Sequence, residues 1–277
     1  MRRQCYVNVA NWDTSSTEWH QLLLQLPDHD QKQVMRYVFE KDQKLALGSR
    51  LLQRKLIQEV SGLNYDAIKI ARTPENKPYW NRDRNSLAPL LWNYNVSHHG
   101  TIVAIASDSR ALVGVDVVRL TDRPNQTTSI HDFIRAFKSH FNPREWKYIR
   151  GSSIEEEDDQ YKRFYRLWSL KEAYIKAVGV GLGFSLLRAE FNQVKLGRDD
   201  QWNIILDGQQ SNDWHFTSTQ VDDVHLISVA YGPFSAMWKP ETSSIFPIDP
   251  LTDEQSVASI EQKTISWQEW TLQNLLQ

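Results

Sequence analysis

A chain of 277 residues with 40% hydrophobic and 24% charged side chains has the makeup of a folded globular protein, not a disordered or fibrous one, and is long enough for one large domain or two ordinary ones. With 32 Lys and Arg against 34 Asp and Glu, its formal charge of -2 gives no global attraction to nucleic acid or to an anionic membrane, so any anion site must be built locally. Its single cysteine, Cys5, excludes an internal disulfide and a cysteine-based zinc site.

Met1–Val7 has no long apolar run, and no segment approaches the ~20 apolar residues of a membrane span, so a cytosolic protein without a membrane partner is expected. Tyr6–Ala10 reads as a strand, and Ser16–Leu26 and Gln31–Phe39 as helices. Leu45–Val60 has the apolar stripe of a long amphipathic helix, which Gly62 ends. Ile68–Ala71 is a strand candidate, and Pro74–Pro78 a loop, because its two prolines suit neither helix nor ladder. Tyr94–Ser97, Ile102–Ala106 and Leu112–Val118 read as strands, the last two joined by a polar link, Ser107–Arg110, suited to a hairpin. Ile130–Phe137 and Pro143–Ile149 read as helices, and the acid run Glu155–Asp159 as a solvated loop. Tyr161–Val178 is the plainest helix, stopped at Gly179. Strands return at Ala189–Phe191, Trp202–Leu206, His215–Thr219 and His225–Tyr231, and a loosely packed polar tail follows Trp238.

Four features carry possible chemistry. In Gly114-Val115-Asp116 a carboxylate sits inside an apolar strand, where an ionised group needs a cation or several donors; on this segment alone a strand cap is the commoner reading. On the helix around Trp168, Glu172 and Lys176 lie about 40° apart, with Tyr165 between them and Trp168 just beyond Glu172. An exposed pair of this spacing is worth only ~0.2–0.5 kcal/mol, and the flanking rings favour a half-buried one. His98 and His99 are adjacent on a strand and point to opposite faces, so they make poor joint metal ligands, and a hydrogen-bonding role for Ser97 and His98 fits better. Gly179-Val180-Gly181-Leu182-Gly183 follows a helix instead of opening one, which suits a helix stop and turn, not a phosphate loop.

Taken in order, these segments resemble the Sfp-type 4'-phosphopantetheinyl transferases: Gly114-Val115-Asp116, then Trp168-Ser169-Leu170-Lys171-Glu172-Ala173-Tyr174-Ile175-Lys176, with Asn76-Lys77-Pro78 and Asn95-Val96-Ser97-His98 upstream. Asn76 replaces the family's glycine, and the ordered agreement spans about residues 5–235. Eukaryotic members serving fatty-acid synthase and L-aminoadipate-semialdehyde dehydrogenase look closest. The resemblance implies an α/β fold of two similar halves about a pseudo-twofold axis, here residues 1–108 with the nucleotide contacts and 109–238 with the metal and catalytic residues, then a polar tail at 239–277.

It further implies an enzyme that moves phosphopantetheine from coenzyme A to a serine of an acyl or peptidyl carrier, in fatty-acid or lysine biosynthesis. Asp116 and Glu172 would hold Mg²⁺ (or Mn²⁺), Glu172 and Lys176 would be catalytic, and Arg72, Lys77, Asn95, Ser97 and His98 would contact coenzyme A. The family's basic residue in the first-half helix falls at Gln33, so Lys32 or Arg36 must substitute; where bacterial members often carry a second acid, this chain has Val118. Basic residues such as Lys138, Lys147, Arg150, Lys162 and Arg166 are candidates for meeting an acidic carrier. The fused double form suggests a monomer. The competing readings are a non-catalytic coenzyme A or carrier-binding module, and an interaction protein whose Glu172–Lys176 pair is surface decoration.

Overall fold

A computed structural model describes residues 2–82, 89, 91–123, 129–151, 157–197, 199–237 and 265–276. The fold is α/β, with two sheets that each carry one long helix. The first sheet contains β1 (Arg3–Asn8), β4 (Asn93–His99), β5 (Ile102–Asp108) and β11 (Gln268–Glu269), in the order β11-β1-β5-β4. The second contains β6 (Leu112–Arg119), β7 (Ala189–Lys195), β8 (Asp199–Leu206), β9 (Gln209–Gln220) and β10 (His225–Gly232), in the order β6-β10-β9-β8-β7. A two-stranded ribbon pairs β2 (Ile70–Arg72) with β3 (Pro78–Trp80).

The long helix of the first half, α3 (Glu40–Ser61), follows α1 (Thr17–Leu24) and α2 (Asp28–Met35). It buries Leu47, Leu51, Leu52, Leu56 and Ile57 against β1 and β5 and ends at Gly62, whose left-handed φ of 73° a residue without Cβ adopts freely. In the second half α4 (Ile130–Ala136) and α5 (Pro143–Arg150) flank α6 (Glu157–Val178). Leu167, Leu170, Ala173 and Ala177 of α6 are wholly buried on the second sheet. Val113, Val115 and Val117, on the other face of β6, join Ile102, Ala104 and Ala106 of β5 in a core between the two sheets.

Four expectations change. Ile102–Ala106 and Leu112–Val118 form no hairpin, because β5 pairs with β1 and β4 while β6 pairs with β10, so the link Ser109–Ala111 crosses between sheets. Pro78 is not loop but the first residue of an edge strand, where its missing N–H costs no ladder bond. Of the acid run, Glu157, Asp158 and Asp159 form the first turn of α6, a place where negative charge favours a helix; residues 155 and 156 lie outside the described residues. Nor is the end of the tail loose. β11 extends β1 in parallel, and Trp270 and Leu275 bury themselves in the first half's core, while 238–264 lie outside the described residues.

Candidate active site

The site lies where the edges of the two sheets meet. An outer strand such as β6 leaves alternate N–H groups without a ladder partner. Here β4 supplies side chains for all four: Asn93 Oδ1 accepts from Val113 N–H (3.1 Å), Asn95 Oδ1 from Val115 (2.8 Å), Ser97 Oγ from Val117 (3.3 Å) and His99 Nδ1 from Arg119 (3.3 Å). Residues two apart on a strand share a face, so the alternation Asn-x-Asn-x-Ser-x-His matches the alternation of free N–H groups. This seam fixes the position of β6, and with it Asp116, relative to the first half.

α6 lies close against the face of β6 that carries Gly114 and Asp116. A Cβ built on Gly114 would stand 2.0 Å from the Ala173 carbonyl oxygen and 2.4 Å from the Ala177 nitrogen, so only glycine lets the helix approach this near. That approach brings Lys176 over the strand. Its Nζ lies 2.6 Å from Asp116 Oδ1 and 3.0 Å from Ser97 Oγ, and Ser97 donates its hydroxyl hydrogen to Asp116 Oδ1 at 3.1 Å. Ser97 therefore uses all three of its hydrogen-bonding positions. Asp116 is 6% exposed, and its neighbours are a cation and a donor, as a buried carboxylate requires. Glu172, one turn before Lys176, is half-buried, and burial followed by the charge of Asp116 pushes its carboxyl above the ordinary range, against the pull of Lys176.

Two carboxylates and no soft ligand form a donor set suited to a hard, water-keeping cation such as Mg²⁺, and the ammonium of Lys176 already occupies a cation's position on Asp116. Among the described residues no group of three or more His, Cys, Asp or Glu side chains gathers into a metal cage, so such an ion would complete its shell with water and substrate oxygens.

The other candidates are placed differently. Lys77 is turned inward onto main-chain carbonyls at the end of α6. Asn95 is part of the seam. His98 lies near Lys176, its outer surface open but its ring partly desolvated by the surrounding protein, and that desolvation and then the charge of Lys176 lower its proton affinity; its neighbour His99 places Nε2 2.8 Å from Asp122 Oδ2. Arg72 is exposed and donates to the Asn76 carbonyl at 2.9 Å. Lys32 and Arg36 are exposed on and just after α2, and Gln33 accepts from Arg50 Nη2 at 2.7 Å. Val118 shares the Asp116 face but packs with Leu120 and Leu226 beneath Tyr165 and Trp168, so it belongs to an apolar cluster and not to a ligand position. Those two rings are the flanking aromatics of the Glu172–Lys176 sector.

Lys171, which belongs to the same helical motif as Glu172 and Lys176, forms a wholly buried pair with Glu145, Nζ to Oε2 2.9 Å, and donates to the carbonyls of Leu186 and Ala189. Glu145 in turn accepts from the N–H groups of Asn142 and Phe191. Burial pushes the Glu145 carboxyl up and the Lys171 ammonium down, each opposed by its partner. The pair ties α5, α6 and β7 together on the side of α6 away from Asp116. The sequence signal was the run Lys171-Glu172, in which adjacent helical residues lie about 100° apart and so cannot serve one site.

Residues 10–110 match the family model described as 4'-phosphopantetheinyl transferase, N-terminal, and residues 112–230 the model of the 4'-phosphopantetheinyl transferase superfamily. The L-aminoadipate-semialdehyde dehydrogenase-phosphopantetheinyl transferase of Mus musculus is 35% identical over 229 residues, 80% of this chain and 72% of that protein. The Homo sapiens protein of the same name is 34% identical over 228 residues, with the same coverage. A phosphopantetheinyl transferase of Thraustochytrium sp. is 33% identical over 231 residues, 81% of this chain and 76% of its own. Among solved structures, a Thermotoga maritima holo-[acyl-carrier-protein] synthase aligns over 44% of this chain and 63% of its own, with 18% identity and a TM-score of 0.31.

Proposed function

Since this chain belongs to the 4'-phosphopantetheinyl transferase superfamily, we propose that it transfers phosphopantetheine from coenzyme A to a serine of an apo carrier domain, releasing adenosine 3',5'-bisphosphate. The proposed carriers are that of aminoadipate-semialdehyde dehydrogenase, the enzyme its relatives are named for, and, on the family resemblance alone, the acyl carrier of fatty-acid synthase. The observation that carries this reading is the arrangement of Asp116, Ser97 and Lys176 within 3.1 Å of one another, with Glu172 one turn away on α6.

Asp116 and Glu172 would hold Mg²⁺, which supplies charge neutralisation to the pyrophosphate. Ser97 fixes the Oδ1 end of Asp116. Lys176 is the group that can turn its charge from Asp116 to the departing phosphate, an interaction strongest in the transition state. Glu172, one turn from Lys176 on α6, accepts the serine proton directly or through water. His98, Arg72 and one of Lys32 and Arg36 remain the candidates for contacts to the nucleotide. The test is calorimetric titration of coenzyme A with and without Mg²⁺, on wild type and Asp116→Asn. Binding that Mg²⁺ strengthens in wild type and leaves unchanged in the variant supports the reading, whereas binding insensitive to Mg²⁺ in both contradicts it.

A further inference from the structure

Lys77 reaches from the loop before β3, in the first half, to the last turn of α6 in the second. Its Nζ lies 2.6 Å from the Lys176 carbonyl oxygen, 3.2 Å from that of Ala177 and 3.5 Å from that of Val113. An ammonium has three hydrogens, and three acceptors surround this one. The first two are orphan carbonyls at a helix C-terminus, where partial negative charge gathers and a cation is favoured. The third belongs to β6, one residue before Gly114. The turn of α6 held here is the one whose Ala177 backbone meets Gly114.

The loop is built to hold Lys77 still. The Thr73 and Lys77 main chains bond at 2.9 Å, Thr73 Oγ1 accepts the Lys77 N–H at 3.2 Å, and Arg72 binds the Asn76 carbonyl at 2.9 Å. Asn76 takes a φ of 68°, which asparagine tolerates better than other side chains and glycine adopts freely, so Asn in place of the family's glycine leaves the turn intact. Burial, with no carboxylate opposing it, lowers the Lys77 ammonium to about 8.

We propose that Lys77 is a positioning residue for the transfer reaction, clamping the end of α6 to β6 across the seam so that Lys176 and Glu172 stand in register with Asp116, and that it does not bind nucleotide phosphate. The inference rests on the transferase reading and adds a role to a residue of the same site. A clamp and a phosphate ligand differ in what their loss changes. In Lys77→Met, a lost clamp lowers kcat for carrier modification about tenfold or more, since small misplacements of catalytic groups are costly. The KM for coenzyme A changes far less than kcat does, because no contact to the nucleotide phosphates is removed. The preference for coenzyme A over its 3'-dephospho form is also kept.

Amide exchange in the last turn of α6, followed on the protein alone, accelerates in the variant relative to the middle of the helix. Thr73→Val, which removes only the hydroxyl that steadies the loop, shows the same changes at smaller size and serves if Lys77→Met does not fold. A raised KM with the 3'-phosphate preference erased and kcat kept would overturn the proposal, as would unchanged exchange and unchanged kcat. Wild type that modifies no carrier would count against the transferase reading, and the clamp would then stand or fall on the exchange measurement.

Discussion

Gly114→Ala tests how the site is assembled. The added methyl would sit 2.0 Å from the Ala173 oxygen, 2.4 Å from the Ala177 nitrogen and 2.9 Å from the Ala177 Cα. All three are backbone atoms and no rotamer change relieves them. Ordinary contact begins near 3.4 Å, so α6 must retreat by roughly 1.4 Å at this turn. Overpacking of this kind costs about 1–3 kcal/mol, a loss that a domain stable by about 5–15 kcal/mol survives. At about 2–4 °C per kcal/mol for a chain near this size, the melting temperature drops by several degrees and the protein still folds. Activity suffers more. The 2.6 Å contact of Lys176 with Asp116 opens and Glu172 moves with it, and a misplacement of about 1 Å can cost on the order of a hundredfold. The assay is single-turnover modification of an apo carrier beside a thermal melt. A folded Gly114→Ala protein with a wild-type rate would refute the argument that close approach of α6 to β6 makes the site.

Lys176→Ala should abolish most transfer while coenzyme A still binds, as expected for a group acting mainly in the transition state; wild-type turnover would remove Lys176 from its role. Val118→Glu should destabilise the protein without changing the Mg²⁺ requirement, because the new carboxylate enters the apolar cluster under Tyr165 and Trp168, and a lower half-saturating Mg²⁺ in a stable variant would show that residue 118 faces the metal after all. Lys77 gives a pH signature. Its folded proton affinity, about 8, lies below the ordinary lysine value of 10.5, so the unfolded chain holds more protons between these values and the linked stability rises with pH across that window. In urea unfolding, wild type should gain on Lys77→Met between those two pH values, and a relative loss there would contradict the burial of the ammonium.

Local pattern carried much of this protein. The stripe Leu45–Val60 and Gly62 announced α3, though its start at Glu40 lacks a side-chain cap and was invisible. The sector of Glu172, Lys176, Tyr165 and Trp168 was legible from helical spacing alone. Asp116 looked like a strand cap in isolation, and only its ordered company gave it a role. What sequence spacing could not carry was long-range choice of partner. The segments Ile102–Ala106 and Leu112–Val118 with a short polar link describe a hairpin and a crossover between sheets equally well. The decision lies with β1 and β10, which claim one each, and with the Asn, Ser and His side chains of β4 that take the free edge of β6. Lys77 reads as a free charge in a loop, because the carbonyls that hold it come from residues about 100 positions away. The last dozen described residues looked like polar tail, since Trp270 and Leu275 are sparse anchors with no periodicity.

Transfer to a carrier is read most directly from the intact mass of an apo carrier domain after incubation with coenzyme A, Mg²⁺ and this protein. The expected result is a mass gain of one phosphopantetheine on the carrier serine, one adenosine 3',5'-bisphosphate released per carrier modified, and neither with Asp116→Asn or without divalent metal. An unmodified carrier in the presence of folded, coenzyme A-binding protein, tested with both the aminoadipate-semialdehyde dehydrogenase and the fatty-acid synthase carrier domains, would contradict it.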